Sequence, residues 1–164
     1  MKLKLIAGLG NYGDKYAGIY HNIGASFVNF LQTYAEFTPW LERIVLLPPQ
    51  GFMNESGQLI LAEMKRLGAT SETTLLAHDD SDISLAGYQL IRERGAAGHN
   101  GVQSVFDAAQ SNSFWRARIG IRSANEERKS LEFVLQPIPP EELPIFKEVF
   151  KKIADEIIAA LKTP

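Results

Sequence analysis

Leu3-Lys4-Leu5-Ile6-Ala7-Gly8-Leu9-Gly10-Asn11-Tyr12-Gly13-Asp14-Lys15-Tyr16, followed at Tyr20-His21-Asn22 by a second polar cluster, is the stretch whose reading decides the fold. A short apolar run closed by glycines reads as a strand leaving a sheet core. The glycines allow a sharp turn and a close backbone approach. Asn11, Tyr16 and His21 then stand just past a strand end, where ligands gather in open α/β sheets. The spacing Gly8-x-Gly10-x-x-Gly13 matches a dinucleotide fingerprint, but its context fails. Asp14, Lys15, Gly18 and His21 make a loop where that motif needs a helix, and no acidic residue ends a second strand.

Working outward, helical spacing of Ile23, Phe27, Phe30, Leu31 and Tyr34 predicts a helix over 22–36, broken by Phe37-Thr38-Pro39-Trp40. Strands are expected over 43–47, 73–77, 88–91 and 115–121. Further helices are expected over 55–67 (ended by Gly68), 102–109 and 141–161. The last carries Leu143, Phe146, Phe150, Ile153, Ile157 and Leu161 as one stripe, with Lys147, Lys151 and Lys152 on its polar face. His78-Asp79-Asp80-Ser81-Asp82 reads as an acidic loop and 123–130 as a polar loop, while 131–135 fits helix or strand. Strands alternating with helices give an α/β fold, a single globular domain over 1–164 with a mixed sheet flanked by helices.

The 164 residues suffice for a full core, and 45% hydrophobic with 22% charged residues is an ordinary globular mix. The chain has no cysteine, which excludes disulfides and thiolate metal sites and fits a reducing cytoplasm. The first residues read as a strand rather than a leader, and no apolar run is long enough to span a bilayer. A net charge of −2 argues mildly against strong nucleic-acid binding, although a local basic patch remains compatible with it.

His21 is the candidate base, because an imidazole titrates near neutral pH. A base needs an acceptor to fix its tautomer, and Asp79, Asp80 and Asp82 follow another strand of the same sheet. The aspartates resemble the start of a calcium loop, but no turn glycine and no closing Glu follow. A histidine-carboxylate zinc site has no ligand spacing here. Asn22, Asn54 and Asn100 each open a predicted helix, so N-capping is the ordinary role for each. Their company favours recognition instead: Phe52-Met53 precedes Asn54, and Gly98-His99 precedes Asn100. An amide both donates and accepts, which suits a peptide group. Ser26, Ser56 and Ser104 fall inside predicted helices and no G-x-S-x-G elbow exists, so no serine nucleophile emerges. A base without a nucleophile points to direct activation of water on an ester or similar acyl bond.

Four co-linear segments resemble bacterial-type peptidyl-tRNA hydrolase: GLGNYGDKY with HNIG, GFMNESG, HDDSDISL, and GAAGHNG with WRARIGI. They span residues 3–121, and EFVLQPIPPEE fits beyond them. The resemblance implies cleavage of the ester between a peptide and the 3′ end of tRNA, without metal or cofactor. It implies a twisted, mostly parallel mixed sheet. It also implies that His21 activates water, Asp79 orients it, Asn11 reads the peptide, and Tyr16, Phe52, Asn54 and Asn100 line the substrate site. Asn54 and Asn100 would hold the acyl group and water, and Arg118 a phosphate. The expected partner is peptidyl-tRNA; a cytoplasmic monomer needing no protein partner and no membrane is expected. The chain departs from the family pattern at Tyr12, at Ile19-Tyr20, at Ile91, at Gln103 and in Gly95-Ala96-Ala97-Gly98, and it is short before Phe52. The thinned basic surface predicts weaker, more salt-sensitive tRNA binding. It leaves open two alternatives, another N-acyl ester as substrate and a non-catalytic RNA-binding module.

Overall fold

The computed structural model describes residues 1–163 except 93, 125 and 128, with the backbone alone at 130 and 131. β1 (Leu5–Gly8), β2 (Val45–Leu47), β3 (Thr74–Ser84), β4 (Tyr88–Ile91) and β5 (Trp115–Arg122) form one sheet in the order β2-β1-β3-β5-β4. All neighbours run parallel except β4, which pairs antiparallel with β5. The sheet is sandwiched between helices. Alternate residues point to opposite faces. Ile6, Leu75, Ala77, Ala117 and Ile119 pack with α1 (Ile23–Thr33) and α5 (Leu143–Lys162). Leu5, Ala7 and Leu76 pack with α2 (Ser56–Leu67) and α3 (Asn100–Ala109). The α/β class expected from the pattern and the mostly parallel sheet implied by the resemblance are thus observed.

The expected elements recur with ends shifted by a few residues. α2 stops at Gly68, whose φ of 57° is the left-handed cap that glycine supplies. The 38–40 break is a single 3-10 turn. The ambiguous 131–135 segment begins with a helical turn, α4 (Ser130–Phe133), and the polar loop over 123–130 lies partly outside the described residues. Leu143 leaves the α5 stripe, since it is exposed while Val149 and Ile158 are buried.

One expectation is overturned. His78 to Asp82 do not form a loop; they continue β3, with His78, Asp79 and Asp80 paired to Arg118, Ile119 and Gly120 of β5. A polar run can stay inside a sheet when its charges find partners there. Arg116 and Arg118 on β5 supply them, Arg116 to His78 and Arg118 to Asp80.

The chain leaves β1 toward β2 on one side and returns from β2 across to β3 on the other. Crevices open at the carboxyl ends of strands where such a reversal occurs. Here the reversal lies between β1 and β3, so Gly8–Asn11 and His78–Asp80 face one opening. α1 is drawn close to it because Gly24 has no side chain: a Cβ there would lie 2.1 Å from the Ala77 carbonyl oxygen.

Candidate active site

His21 sits in the 3-10 turn Tyr20–Asn22 that enters α1. Its backbone N–H donates to the Val134 carbonyl at 2.8 Å, which pins the turn against the segment after α4. Its Nδ1 lies 2.9 Å from Asp79 Oδ1. A carboxylate accepts, so Nδ1 carries the proton and Nε2 presents its lone pair. The side chain is 15% exposed, enough for a small molecule to reach that nitrogen.

Asp79 accepts from a second imidazole. His99 Nε2 lies 3.0 Å from the same Oδ1, and His99 Nδ1 accepts the Val102 N–H at the start of α3. That backbone donor leaves Nε2 as the protonated nitrogen and aims it at the carboxylate. Burial alone raises the Asp79 carboxyl, but His99 and His21 together hold it far below the ordinary carboxylate range. For His21 burial lowers the imidazole, yet the Asp79 hydrogen bond and charge outweigh it, and its pKa stands above the usual 6.5.

Behind this pair lies His78, fully buried. Its Nδ1 donates to the Asp79 carbonyl at 2.6 Å and its Nε2 accepts from Arg116 Nε at 3.0 Å. Burial, helped by neighbouring His99 and Arg116, pushes His78 well below 6.5 and keeps it neutral.

His21, Asp79 and His99 are the one cluster among the described residues whose donor atoms lie close enough together for a metal ion, within 4.8 Å. Its chemistry fits a hydrogen-bonded relay better. The second nitrogen of a metal-binding histidine ordinarily donates to a carbonyl or carboxylate. That of His99 accepts instead, which commits the nitrogen facing Asp79 to carrying a proton.

A cleft of about 480 Å³ opens over the cluster, lined by His21, Asp79, His99, Asn100, Lys129 and the small residues Ala96, Ala97 and Gly98. The expected residues distribute around it unevenly. Asn100 lines this cleft and a neighbouring shallow groove, where Asn54 also lies. Tyr16 and Phe52 meet edge to face at 6.3 Å between ring centres, with Phe52 half exposed. Asn11 lines a third depression beyond Asn22. Its Oδ1 accepts the Met53 N–H, and its Nδ2 donor has no partner among the described residues.

The capping role gives way at all three asparagines. Asn22 clamps Asn11 instead, accepting from the Asn11 N–H and donating to the Asn11 carbonyl, both at 2.8 Å. Asn54 lies in a 3-10 turn before α2, and α3 is capped by His99 rather than by Asn100. Arg118 does not stand where a phosphate contact was expected. It is 1% exposed, and its guanidinium donates to Asp80 at 2.6 Å and to Gln89.

Sequence reasoning missed His99 as the second donor to Asp79. The signal was present as a histidine preceding a predicted helix, where a side chain can cap. It also missed Arg116, whose burial no local pattern announces.

Comparison with known proteins identifies the family. A family model described as peptidyl-tRNA hydrolase matches residues 5–163. The peptidyl-tRNA hydrolase of Listeria innocua is 32% identical, over 99% of this chain and 95% of its own. That of Coxiella burnetii is 36% identical over 82% and 78%. The crystal structure of a point mutant of peptidyl-tRNA hydrolase from Acinetobacter baumannii superposes with a TM-score of 0.83 at 26% identity, covering 98% of this chain and 89% of that one. These likenesses establish that the chain belongs to the peptidyl-tRNA hydrolase family.

Proposed function

We propose that this protein hydrolyses the ester joining a peptide to the 3′ end of tRNA, with His21 as general base. The observation that carries the reading is the His21–Asp79 hydrogen bond of 2.9 Å, which fixes the proton on Nδ1 and leaves Nε2 beside the open cleft. Water bound there gives a proton to Nε2 as its oxygen attacks the ester carbonyl carbon. The imidazolium then returns a proton to the departing ribose oxygen. The products are a peptide carboxylic acid and a free tRNA hydroxyl with one water consumed, and the acid then releases its proton to solvent. Asp79 stabilises the imidazolium as it forms, the role a triad aspartate performs.

Asn100 lines the same cleft as His21 and suits the acyl group and water, with Asn54 in the adjoining groove. The unused Nδ2 of Asn11 is a donor for a peptide carbonyl, which an unblocked aminoacyl group lacks. Tyr16 and Phe52 offer aromatic surface for the remainder of the substrate. The chemistry needs no metal or cofactor. We read the enzyme as a cytoplasmic monomer that needs no protein partner; no helix among the described residues is long and apolar enough to cross a membrane.

The test is cleavage of N-acetyl-aminoacyl-tRNA beside unblocked aminoacyl-tRNA, by wild type and His21→Ala, with EDTA throughout. We expect selective cleavage of the blocked substrate, and a fall in kcat of about 10²–10⁴-fold in the variant with KM little changed. Near-normal turnover by His21→Ala would show that the base is elsewhere.

A further inference from the structure

Arg116 is a buried charge that the mechanism above does not use. It lies on β5 with 0% exposure, among the α3-facing side chains. No carboxylate stands within ion-pair distance of it among the described residues. Burial and the neighbouring Arg118 lower its pKa to about 10, so it still carries its charge at neutral pH. Burying an unpaired cation is expensive, and an apolar side chain of similar volume would remove the expense.

Its hydrogen bonds show what the charge holds. Nη1 donates to the carbonyls of Arg94 and Gly95, at 3.1 and 2.8 Å. Nε donates to His78 Nε2, whose other nitrogen holds the Asp79 carbonyl. The Phe106 ring of α3 lies 5.8 Å from the guanidinium carbon. Nη2 is buried without a partner among the described residues. Arg94 and Gly95 begin the connection from β4 to α3. That connection runs through Ala96, Ala97 and Gly98, which line the cleft, to His99 and Asn100. Ala97 and Gly98 have φ of 51° and 79°, so this loop does not set its own path as a regular element would.

We propose that Arg116 is a positioning residue that fixes the 94–98 loop and the His78–Asp79 stretch of β3 to each other, and so sets the distance at which His99 meets the catalytic carboxylate. One guanidinium spans both elements because its donors are rigid and planar. Lysine can reach the two loop carbonyls, but its single ammonium cannot hold His78 with the same fixed geometry. The inference rests on the hydrolase reading for its kinetic arm alone.

The experiment compares wild type, Arg116→Lys and Arg116→Met by amide hydrogen exchange and by kinetics on N-acetyl-aminoacyl-tRNA. In Arg116→Met we expect faster exchange confined to residues 94–100, with β1 and β3 unchanged. A kcat about 10²-fold lower is expected with KM changed less than about threefold, since a displaced group near the chemistry acts on turnover. Arg116→Lys should restore loop protection and recover about half of that loss on a logarithmic scale. Wild-type loop exchange and wild-type kcat in Arg116→Met would overturn the proposal. So would faster exchange spread evenly over β1 and β3, which marks general destabilisation. If Arg116→Met does not fold, a wild-type kcat in Arg116→Lys overturns it, and a lower kcat with KM and the exchange of β1 and β3 unchanged supports it. If wild type does not cleave the ester, the hydrolase reading fails, and the exchange arm still decides whether Arg116 fixes the loop.

Discussion

Asp79 Oδ1 receives two imidazole N–H groups at once, from His21 at 2.9 Å and His99 at 3.0 Å. The consequence is a pH profile with a definite sign. His21 must lose its proton to act as a base, and its pKa lies above 6.5, so kcat/KM should rise with pH through a midpoint above 6.5. In Asp79→Asn the two raising causes disappear and burial alone remains. His21 should then titrate below 6.5 by NMR of its ring Cε1 proton, while kcat drops about 10²-fold or more. A His21 titration unchanged in that variant would contradict the assignment. At this scale His21 and Asp79 were legible because a histidine and an acidic run each followed a strand. His99, Arg116 and the Asn22 clamp were not. Their partners lie 20, 38 and 11 residues away, and no local spacing encodes such pairings.

α1 carries His21 at its entrance, and Gly24 sets how near that helix lies to β3. In Gly24→Ala the added carbon would need the space of the Ala77 carbonyl oxygen, 2.1 Å away, and of the Leu9 carbonyl oxygen at 2.9 Å. Neither is a side chain that can swing aside. Overpacking of this kind costs about 1–3 kcal/mol, and here its relief must lift the helix. We expect a lower urea midpoint together with a fall in kcat, since His21 moves with α1. A variant as stable and as active as wild type would show that the contact is slack. Helices and most strands were readable from periodicity, because each has one apolar face or is wholly buried. The extension of β3 through Asp82 was not, because a polar run resembles a loop until Arg116 and Arg118 are known to stand beside it.

The alternation of strands and helices was enough to give the class of the whole molecule, and the sheet order then places the crevice between β1 and β3. What the pattern could not give was the direction of the basic side chains. Arg118 points inward to Asp80, so one phosphate contact expected of the surface is spent inside. Weak tRNA binding remains the expectation, but a greater sensitivity to salt does not follow. Each phosphate contact releases counterions, so fewer contacts give a shallower dependence. Fluorescence anisotropy of tRNA across salt concentrations should therefore give a log–log slope shallower than about −4, the value for about six contacts. A slope steeper than that would contradict the thinned basic surface. Finally, the cleft beside His21 is lined in part by Ala96, Ala97 and Gly98. A wall with nothing larger than a methyl group cannot sort its guests by shape. It offers peptide groups and little else, and peptide groups are what all polypeptides share. For a peptidyl-tRNA hydrolase, that wall makes indifference to the neighbouring side chain the expected behaviour.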